Sequence, residues 1–403
     1  MQESSNSDSS IDPKQLIKEL SIEEFNRFSD EYYKRLPLPE YQMGKPFSMV
    51  SETAEHLRLL GYLFQILNMK PGLRTLDFGA GTGWLSKMIW QMGCPVVSLD
   101  VSQEALDLGK RLFEEFSVVY DPKVGYEFLL FDGHRIDLPD ESVDRIVCYD
   151  VFHHVPNQET VMREFYRILA PGGIIGFNEP LGEHSTSVES QYEMRTYKVL
   201  ENDLKIEEIA ALAGSVGFGE PKFKTFSLSD LELSLEERRA VCDGEDFSSR
   251  ILDHIRDSMR TSGVFCFSKG EAVADSRSAE GLAHVIQIQS EPLRFQANTQ
   301  AFVEVKVTNT GTSKWLRGSP AEIGTVNVGT QLFDTEKKIL AVDLTRGGLP
   351  REVLPGESVT VQVPLVVMEP GRYKIGFDLV SELVTWFHIL GSEMVYLDVD
   401  VYV

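Results

Sequence analysis

Two spacings of apolar residues divide the chain. Up to about Gly270, short apolar runs alternate with amphipathic stretches; beyond it, apolar and polar residues alternate singly. Asp12-Pro13 reads as a cap and first helical position, and an amphipathic stretch runs on toward Tyr33. "YQMGKPFSMV" reads as a loop. Ser51 is expected to cap a helix through about Leu67, with Leu57, Leu60, Leu63 and Ile66 on one side, and Pro71-Gly72 stops it. Strands are then predicted at "RTLDF", "PVVSL", "YEFLLF", "VDRIVCY" and "IIGFN". They alternate with helices at "WLSKMIWQM", "SQEALDLGKRLFEEF" (Ser102 as cap) and "ETVMREFYRILA". Such alternation gives βαβ units and a parallel sheet. "PKFKTF" and "SGVFCF" are two more strands, separated by a charged, helical insertion from about Asp230 to Arg260.

"GEAVADSRSAEG" has the small, polar composition of a linker. After it, "FVEVKVTN", "VTVQVPLVV", "YKIGFDLV" and "VYLDVDVYV" have period 2 and are separated by "NTGT", "LPGES" and "MEPGR". Short strands with regular turns predict an antiparallel β-sandwich of the usual immunoglobulin-like size, about 120 residues. The expected organisation is a tail and helical segment at 1–70, an α/β domain at 71–270, a linker at 271–283 and an all-β sandwich at 284–403.

Composition narrows this little. A length of 403 residues suits two or three domains, and 42% hydrophobic residues suffice for real cores. No apolar run is long enough for a transmembrane helix. The polar, acidic first dozen residues read as a disordered tail without a signal pattern. Cys94, Cys148, Cys242 and Cys266 are far apart with no CxxC, which points to reduced thiols and a cytoplasmic location. The net charge of -23 sits mostly before Gly281, where 29 Lys and Arg face 48 Asp and Glu. An acidic body argues against a nucleic-acid partner.

"LDFGAGTGWLS" places Gly79, Gly81 and Gly83 between a strand and a helix, where backbone can approach a ligand closely. Asp100, ending the second strand, is placed to accept hydrogen bonds from ribose hydroxyls. The spacing is GxGxG, neither the dinucleotide pattern nor a Walker A loop. With "VVSLDVS", "FDGHRIDLPDESVDRIVCYDVFHHV" and "FYRILAPGGIIGFNEP", the stretch from about Leu73 to Pro180 resembles the class I S-adenosylmethionine-dependent methyltransferases. The resemblance implies a Rossmann-like, seven-stranded, mostly parallel sheet with S-adenosylmethionine over its carboxyl edge. Carried over by residue, Asp77 and Gly79 would hold the methionine and sulfonium end, Gly81 and Gly83 would shape the turn, and Asp100 would hold the ribose, with Ala80 and Val101 also in the cofactor site. Asp132 with Gly133 would contact adenine, and Tyr149 and Asp150 would lie beside the transferring methyl. Trp84 departs from the small or aliphatic residue expected there and reads as packing of the first helix. No metal is implied.

The acceptor is expected over the loops after the fourth and fifth strands, with help from the N-terminal segment. His184, Tyr192, Arg195, Asn202, Tyr41 and Lys45 are its candidate contacts, and His154, His153 and Glu179 the candidate catalytic residues. For the histidine pair a metal is disfavoured, because adjacent residues on a turn splay apart and no further ligands stand nearby. A general base and an architectural role both stay open. "GLPREVLPGESVTVQVPL" and "PGRYKIGFDLVSELVTWFHILGSE" resemble immunoglobulin-like modules of bacterial surface-polysaccharide enzymes. Nothing there reads as catalytic. Trp386 and Phe387, as strand neighbours, face opposite sides, so one of them leaves the core to meet a sugar, the other domain or a second subunit in a homodimer; Trp315 shares the ambiguity. The resulting expectation is O-methylation of a saccharide or glycan-linked acceptor. The alternatives are a natural-product or quinone-like acceptor methylated at oxygen or carbon, and, third, an inactive binding protein.

Overall fold

The computed structural model describes residues 10–115, 124–224, 233–243, 252–253, 255–256, 259–260, 262–271, 274–290, 293–320, 322–367 and 369–403. Residues 1–9 of the expected disordered tail and part of the charged insertion (230–232, 244–251, 254 and 257–258) lie outside these residues. The chain forms two units, Met1–Ala272 and Val273–Val403.

In the first unit, Asp12 caps α1 (Pro13–Glu19), with Pro13 at the first position. The predicted single amphipathic stretch is broken at Ser21, whose hydroxyl and Glu24 form a capping box opening α2 (Ile22–Arg35). The expected loop after it contains α3 (Pro39–Met43). Helix α4 (Val50–Ile66) starts one residue before Ser51, with Met49 at the cap. Leu60 and Leu63 are buried, but Leu57 is exposed, because the buried stripe is narrower than the apolar one. There follow β1 (Thr75–Phe78), α5 (Trp84–Gln91), β2 (Val96–Asp100), α6 (Gln103–Glu115), β3 (Tyr126–Leu130), β4 (Val143–Tyr149), α7 (Gln158–Ile168), β5 (Leu169–Pro180), α8 (Val188–Tyr197), α9 (Ile206–Val216), β6 (Lys222–Lys224), α10 (Leu235–Asp243) and β7 (Ser262–Ser268). Ser102 caps α6 through Ala105 N–H at 3.1 Å.

The sheet order is β3-β2-β1-β4-β5-β7-β6. Strands β1 to β5 pair in parallel, and β7 runs antiparallel to both β5 and β6. Strand residues alternate between two cores. Ile146, Cys148, Phe265 and Phe267 join α7 and α9 on one face, whereas Val147, Val264 and Cys266 join α4 and α5 on the other. Burial on both faces is why these strands read as continuous apolar runs. The chain reverses between β1 and β4, so their carboxyl ends frame the crevice where open α/β sheets bind ligands. No helix among the described residues is long and apolar enough to cross a membrane.

The second unit has β8 (His284–Ile288), β9 (Leu293–Gln296), β10 (Ala301–Asn309), β11 (Val326–Phe333), β12 (Ile339–Gly348), β13 (Ser358–Leu365), β14 (Gly371–Ser381), β15 (Thr385–Trp386) and β16 (Val395–Tyr402). They form a three-stranded sheet, β13-β10-β8, and a six-stranded one, β12-β11-β14-β16-β9 with β15 beside β14. One buried cluster draws valines from both sheets. The expected linker is folded from Ala274 on: Ser276 is fully buried, donates to Gly324 O at 2.6 Å and accepts at its own carbonyl from Ser381 Oγ. Small polar residues there fill a crowded turn rather than a free connection. Trp315 is fully buried core. The strand ends at Trp386, so Phe387 enters the core while the half-buried Trp386 ring takes Arg346 over its face at 4.9 Å. The sequence reading passed over one titratable cluster: Asp378, fully buried, pairs with His284 and His388, each at 2.6 Å.

Candidate functional site

At the carboxyl edge, Gly79, Gly81 and Gly83 have φ of +68°, +54° and +70°, the left-handed region that favours glycine. A Cβ on Gly79 would stand 2.0 Å from Val151 Cγ2, and one on Gly81 2.6 Å from the Tyr33 hydroxyl. Asp100 fastens this turn: Oδ2 accepts from Gly81 N–H and Oδ1 from Ser102 N–H, both at 2.8 Å. Asp77 accepts from Ser86 Oγ at 2.5 Å. Both carboxyls are buried with no basic partner among the described residues, and burial pushes Asp77 up to about 7 and Asp100 up to about 6.

A cavity of about 420 Å³ opens over this edge, within the size range of small-ligand pockets. Gly79, Asp100, Val101 and Gly133 line one part, and His153, His154, His184 and Lys45 another. Asp77, Ala80, Gly81 and Gly83 stand behind the wall. Asp132 is exposed and spent on its own turn, accepting from the His134 and Arg135 amides at 2.7 and 2.9 Å. Tyr149 faces α4 instead, its hydroxyl 2.7 Å from His56 Nδ1 and its ring edge-on to Trp84 at 5.6 Å. Trp84 therefore packs as expected.

Four proposed acceptor contacts are not among the cavity walls. Tyr41 and Tyr192 are exposed, and Asn202 gives its backbone N–H to His153 O at 3.2 Å. Helix α8 turns Glu189, Ser190 and Glu193 to the cavity, which at 3.6 residues per turn sends Tyr192 and Arg195 elsewhere. Residues not foreseen line it too: Asn26, Ser29, Tyr32 and Tyr33 of α2, and Glu201. Helix α2 is tied to the loops that form the edge. Asn26 donates to Asp132 O at 2.8 Å, and Asp30 accepts from Ser102 Oγ and Glu104 N–H at 3.0 Å.

The histidines do not splay. They sit on one turn of 3-10 helix, Phe152–His154, with ring centroids 3.9 Å apart, because separate acceptors draw both rings to one side. His153 is buried, its Nδ1 2.8 Å from Glu179 Oε2. Burial opposes its charge, but Glu179, Asp150 and Glu201 outweigh that and raise it to about 9. Glu179 is also buried, and its Oε1 accepts the Val151 and Phe152 amides at 3.1 and 2.8 Å. Its carboxyl, a candidate catalytic group in the sequence, braces the loop that carries the histidines. His154 keeps 35% of its side-chain surface open, and its Nδ1 lies 2.6 Å from Leu200 O. A carbonyl only accepts, so Nδ1 carries the hydrogen and the lone pair is on Nε2. Burial and the neighbouring His153 charge lower the His154 pKa, so the ring is neutral at pH 7. Folding also brings Glu201 close enough that His153, His154 and Glu201 offer ligand atoms all within 4.8 Å, a grouping that the sequence spacing hid. Asp150, at φ +54°, ends β4 beside them. Protein packed around the carboxyl opposes its ionisation although 59% of the side chain is exposed, and His153, His154, Lys45 and His184 outweigh this and hold it below the usual range.

An open α/β sheet with a glycine turn, a second-strand acid and a cavity on its carboxyl edge defines a cofactor-binding domain of the Rossmann-like class. Residues 76–177 match the model of a family described as a methyltransferase domain. The chain is 28% identical over 226 residues to phosphoethanolamine N-methyltransferase 2 of Caenorhabditis elegans, covering 55% of this chain and 49% of that one. It is 30% identical over 119 residues to a ubiquinone biosynthesis O-methyltransferase of Shewanella halifaxensis, covering 30% and 48%. The chain thus spans about half the length of these curated relatives. A solved structure of Haemonchus contortus phosphoethanolamine N-methyltransferase 2 with S-adenosyl-L-methionine matches at 19% identity and TM-score 0.38, covering 65% of this chain and 60% of that one. The chain therefore carries a class I S-adenosylmethionine-dependent methyltransferase domain, and its cofactor is S-adenosylmethionine.

The cavity fits that cofactor: Asp100 on its wall and Asp77 behind it are buried carboxyls with no basic partner among the described residues, which suits a ligand bringing hydroxyl donors and positive charge. Their raised pKa values carry a signed prediction. In the ligand-free chain they contribute stability below about pH 4 that is lost as pH rises through 6 to 7. A cation restores the ionised form, so affinity for S-adenosylmethionine is expected to rise from pH 5 to 8. S-Adenosylhomocysteine, which lacks the sulfonium, should gain less. Calorimetry across that range decides it, and parallel profiles for the two ligands would refute the assignment.

Proposed function

We propose that this chain transfers the methyl group of S-adenosylmethionine to a hydroxyl oxygen of a small polar acceptor, a saccharide or glycan-linked molecule, with His154 as general base. The carrying observation is the Nδ1 to Leu200 O hydrogen bond, which leaves a neutral imidazole with its lone pair on Nε2 in the cavity wall. Bound over Gly79 and Asp100, the cofactor supplies a methyl carbon already activated by its sulfonium. The chain's own work is positioning and proton removal. Oxygen forms the bond to the methyl carbon, the sulfur–methyl bond breaks to a neutral thioether, and the hydroxyl proton goes to His154 Nε2. His153, cationic on its Glu179 support, fixes the turn that presents His154.

Ser29, Tyr32, Ser190, Glu189 and Glu193 surround the remaining space. Hydroxyls and carboxylates complement a polyhydroxylated molecule better than a flat apolar one. The two-sheet unit, read as immunoglobulin-like, fits the glycan reading by resemblance. A panel of saccharides incubated with radiolabelled cofactor tests this: alkali-stable label on a sugar is the expected result. Label only on quinol-type acceptors, or at carbon, would replace it.

A further inference from the structure

The cavity has a neighbour. A cleft of about 240 Å³ lies between Glu52, Glu55 and His56 of α4 and the strand-end residues Tyr149, Asp150 and Asn178. The two share Asp150, so they meet at the end of β4. Nothing in the methyl-transfer reading uses α4.

The walls of this cleft present acceptors. Glu52 and Glu55 are about half and two-thirds exposed, and Asp150 carries a 59% exposed side chain. Asn178, only 6% exposed, has its side-chain carbonyl oxygen buried with no hydrogen-bond partner among the described residues. A buried unpaired acceptor is costly in a finished site, by about 1–3 kcal/mol, and marks a place that a ligand donor completes. His56 Nδ1 and the Tyr149 hydroxyl bond each other at 2.7 Å, whereas His56 Nε2, 3.6 Å from Glu52, is buried with no hydrogen-bond partner among the described residues and is a second polar atom left for a ligand. Arg58 reaches Glu55 only at 3.5 Å, from the exposed side. The His56, Trp84 and Tyr149 rings, 5.6 to 6.1 Å apart, add aromatic surface.

We infer that this cleft binds an ammonium group of the acceptor. An ammonium brings three donors and no acceptor on a compact head, the complement of Glu52, Glu55 and an orphan carbonyl, with Asp150 shared with the histidine side. Its charge also suits aromatic faces. Held there protonated, it has no lone pair to attack the methyl carbon. The reacting atom is therefore a hydroxyl of the same molecule on the His154 side of Asp150. Resting on the saccharide reading above, this makes the acceptor an amino sugar.

The full chain, saturated with S-adenosylhomocysteine at pH 7, is titrated with matched pairs in ligand-observed NMR: D-glucosamine against D-glucose, and ethanolamine against ethylene glycol. The amines should bind about tenfold tighter than their hydroxyl partners, the worth of one charge-assisted hydrogen bond. The double variant E52Q/E55Q should erase that preference while leaving S-adenosylhomocysteine affinity unchanged. Equal binding within a pair, or none by a chain that still takes S-adenosylhomocysteine, overturns the ammonium site and leaves the methyltransferase reading standing. Displacement of the amines by calcium chloride at constant ionic strength, with sodium chloride inert, would give the cleft to a metal ion and also overturn it. Failure to bind S-adenosylhomocysteine would remove both readings.

Discussion

Replacing Glu179 with alanine is expected to destabilise the first unit by about 3–5 kcal/mol, the usual cost of breaking one side of a buried ion pair. Glu179 has no exposed side-chain surface and meets His153 at 2.8 Å and the Val151 and Phe152 amides at 3.1 and 2.8 Å. Without it, a buried imidazolium loses its main partner and two amides lose their acceptor. Glu179→Gln keeps the shape and one acceptor, so it should lose less. A urea midpoint at pH 7 measures both, and a loss below about 1 kcal/mol for the alanine variant would contradict the pairing. The pH signature is separate. His153 is raised from 6.5 to about 9, so its contribution is fully present below pH 6.5 and lost as pH rises through 9. The wild type should weaken across that window, and Glu179→Ala should lose most of that slope.

His154→Ala should lower turnover by about 10²- to 10⁴-fold, the range of a positioned general base, with S-adenosylmethionine affinity within about twofold. The wild-type rate should fall on the acid side as the imidazole takes a proton, at a pH below the ordinary histidine value because its pKa is lowered. The variant should lack that limb, and its deficit should shrink at high pH, where solvent hydroxide substitutes. Steady-state rates from pH 5 to 10 with parallel cofactor titrations separate the roles. If cofactor affinity collapses while the residual rate keeps its pH profile, His154 is a wall of the site and not its base.

The strand-helix alternation, the glycine turn and Asp100 were legible because each is a local pattern. The runs "VDRIVCY" and "IIGFN" read as strands because amphipathic stretches alternate with them, and glycines at 79, 81 and 83 mark a turn where backbone approaches a ligand closely. What stayed hidden depends on rotation and on distance. An amphipathic period says that α2 buries a face, not that Ser29, Tyr32 and Tyr33 bury it over a cofactor edge. On α8, polar residues on every side leave the period silent, so Tyr192 and Arg195 were chosen where Glu189 and Glu193 face inward. Glu201 joins His153 and His154 only because α8 folds the chain back, and no spacing announces that. Glu179 was found, but not its bracing contacts: chemistry-bearing residues at strand ends include those that hold a loop as well as those that react, and sequence does not separate the two. The linker failed for a similar reason, since Ser276 is small because its pocket is tight.

Helix α2 has two duties at the site. Its hydrogen bonds run to Asp132, Ser102 and Glu104, in the loops that frame the cofactor edge. The helix that roofs the cavity is therefore also a brace for three positions on its rim, so what encloses the site is what keeps the rim in shape.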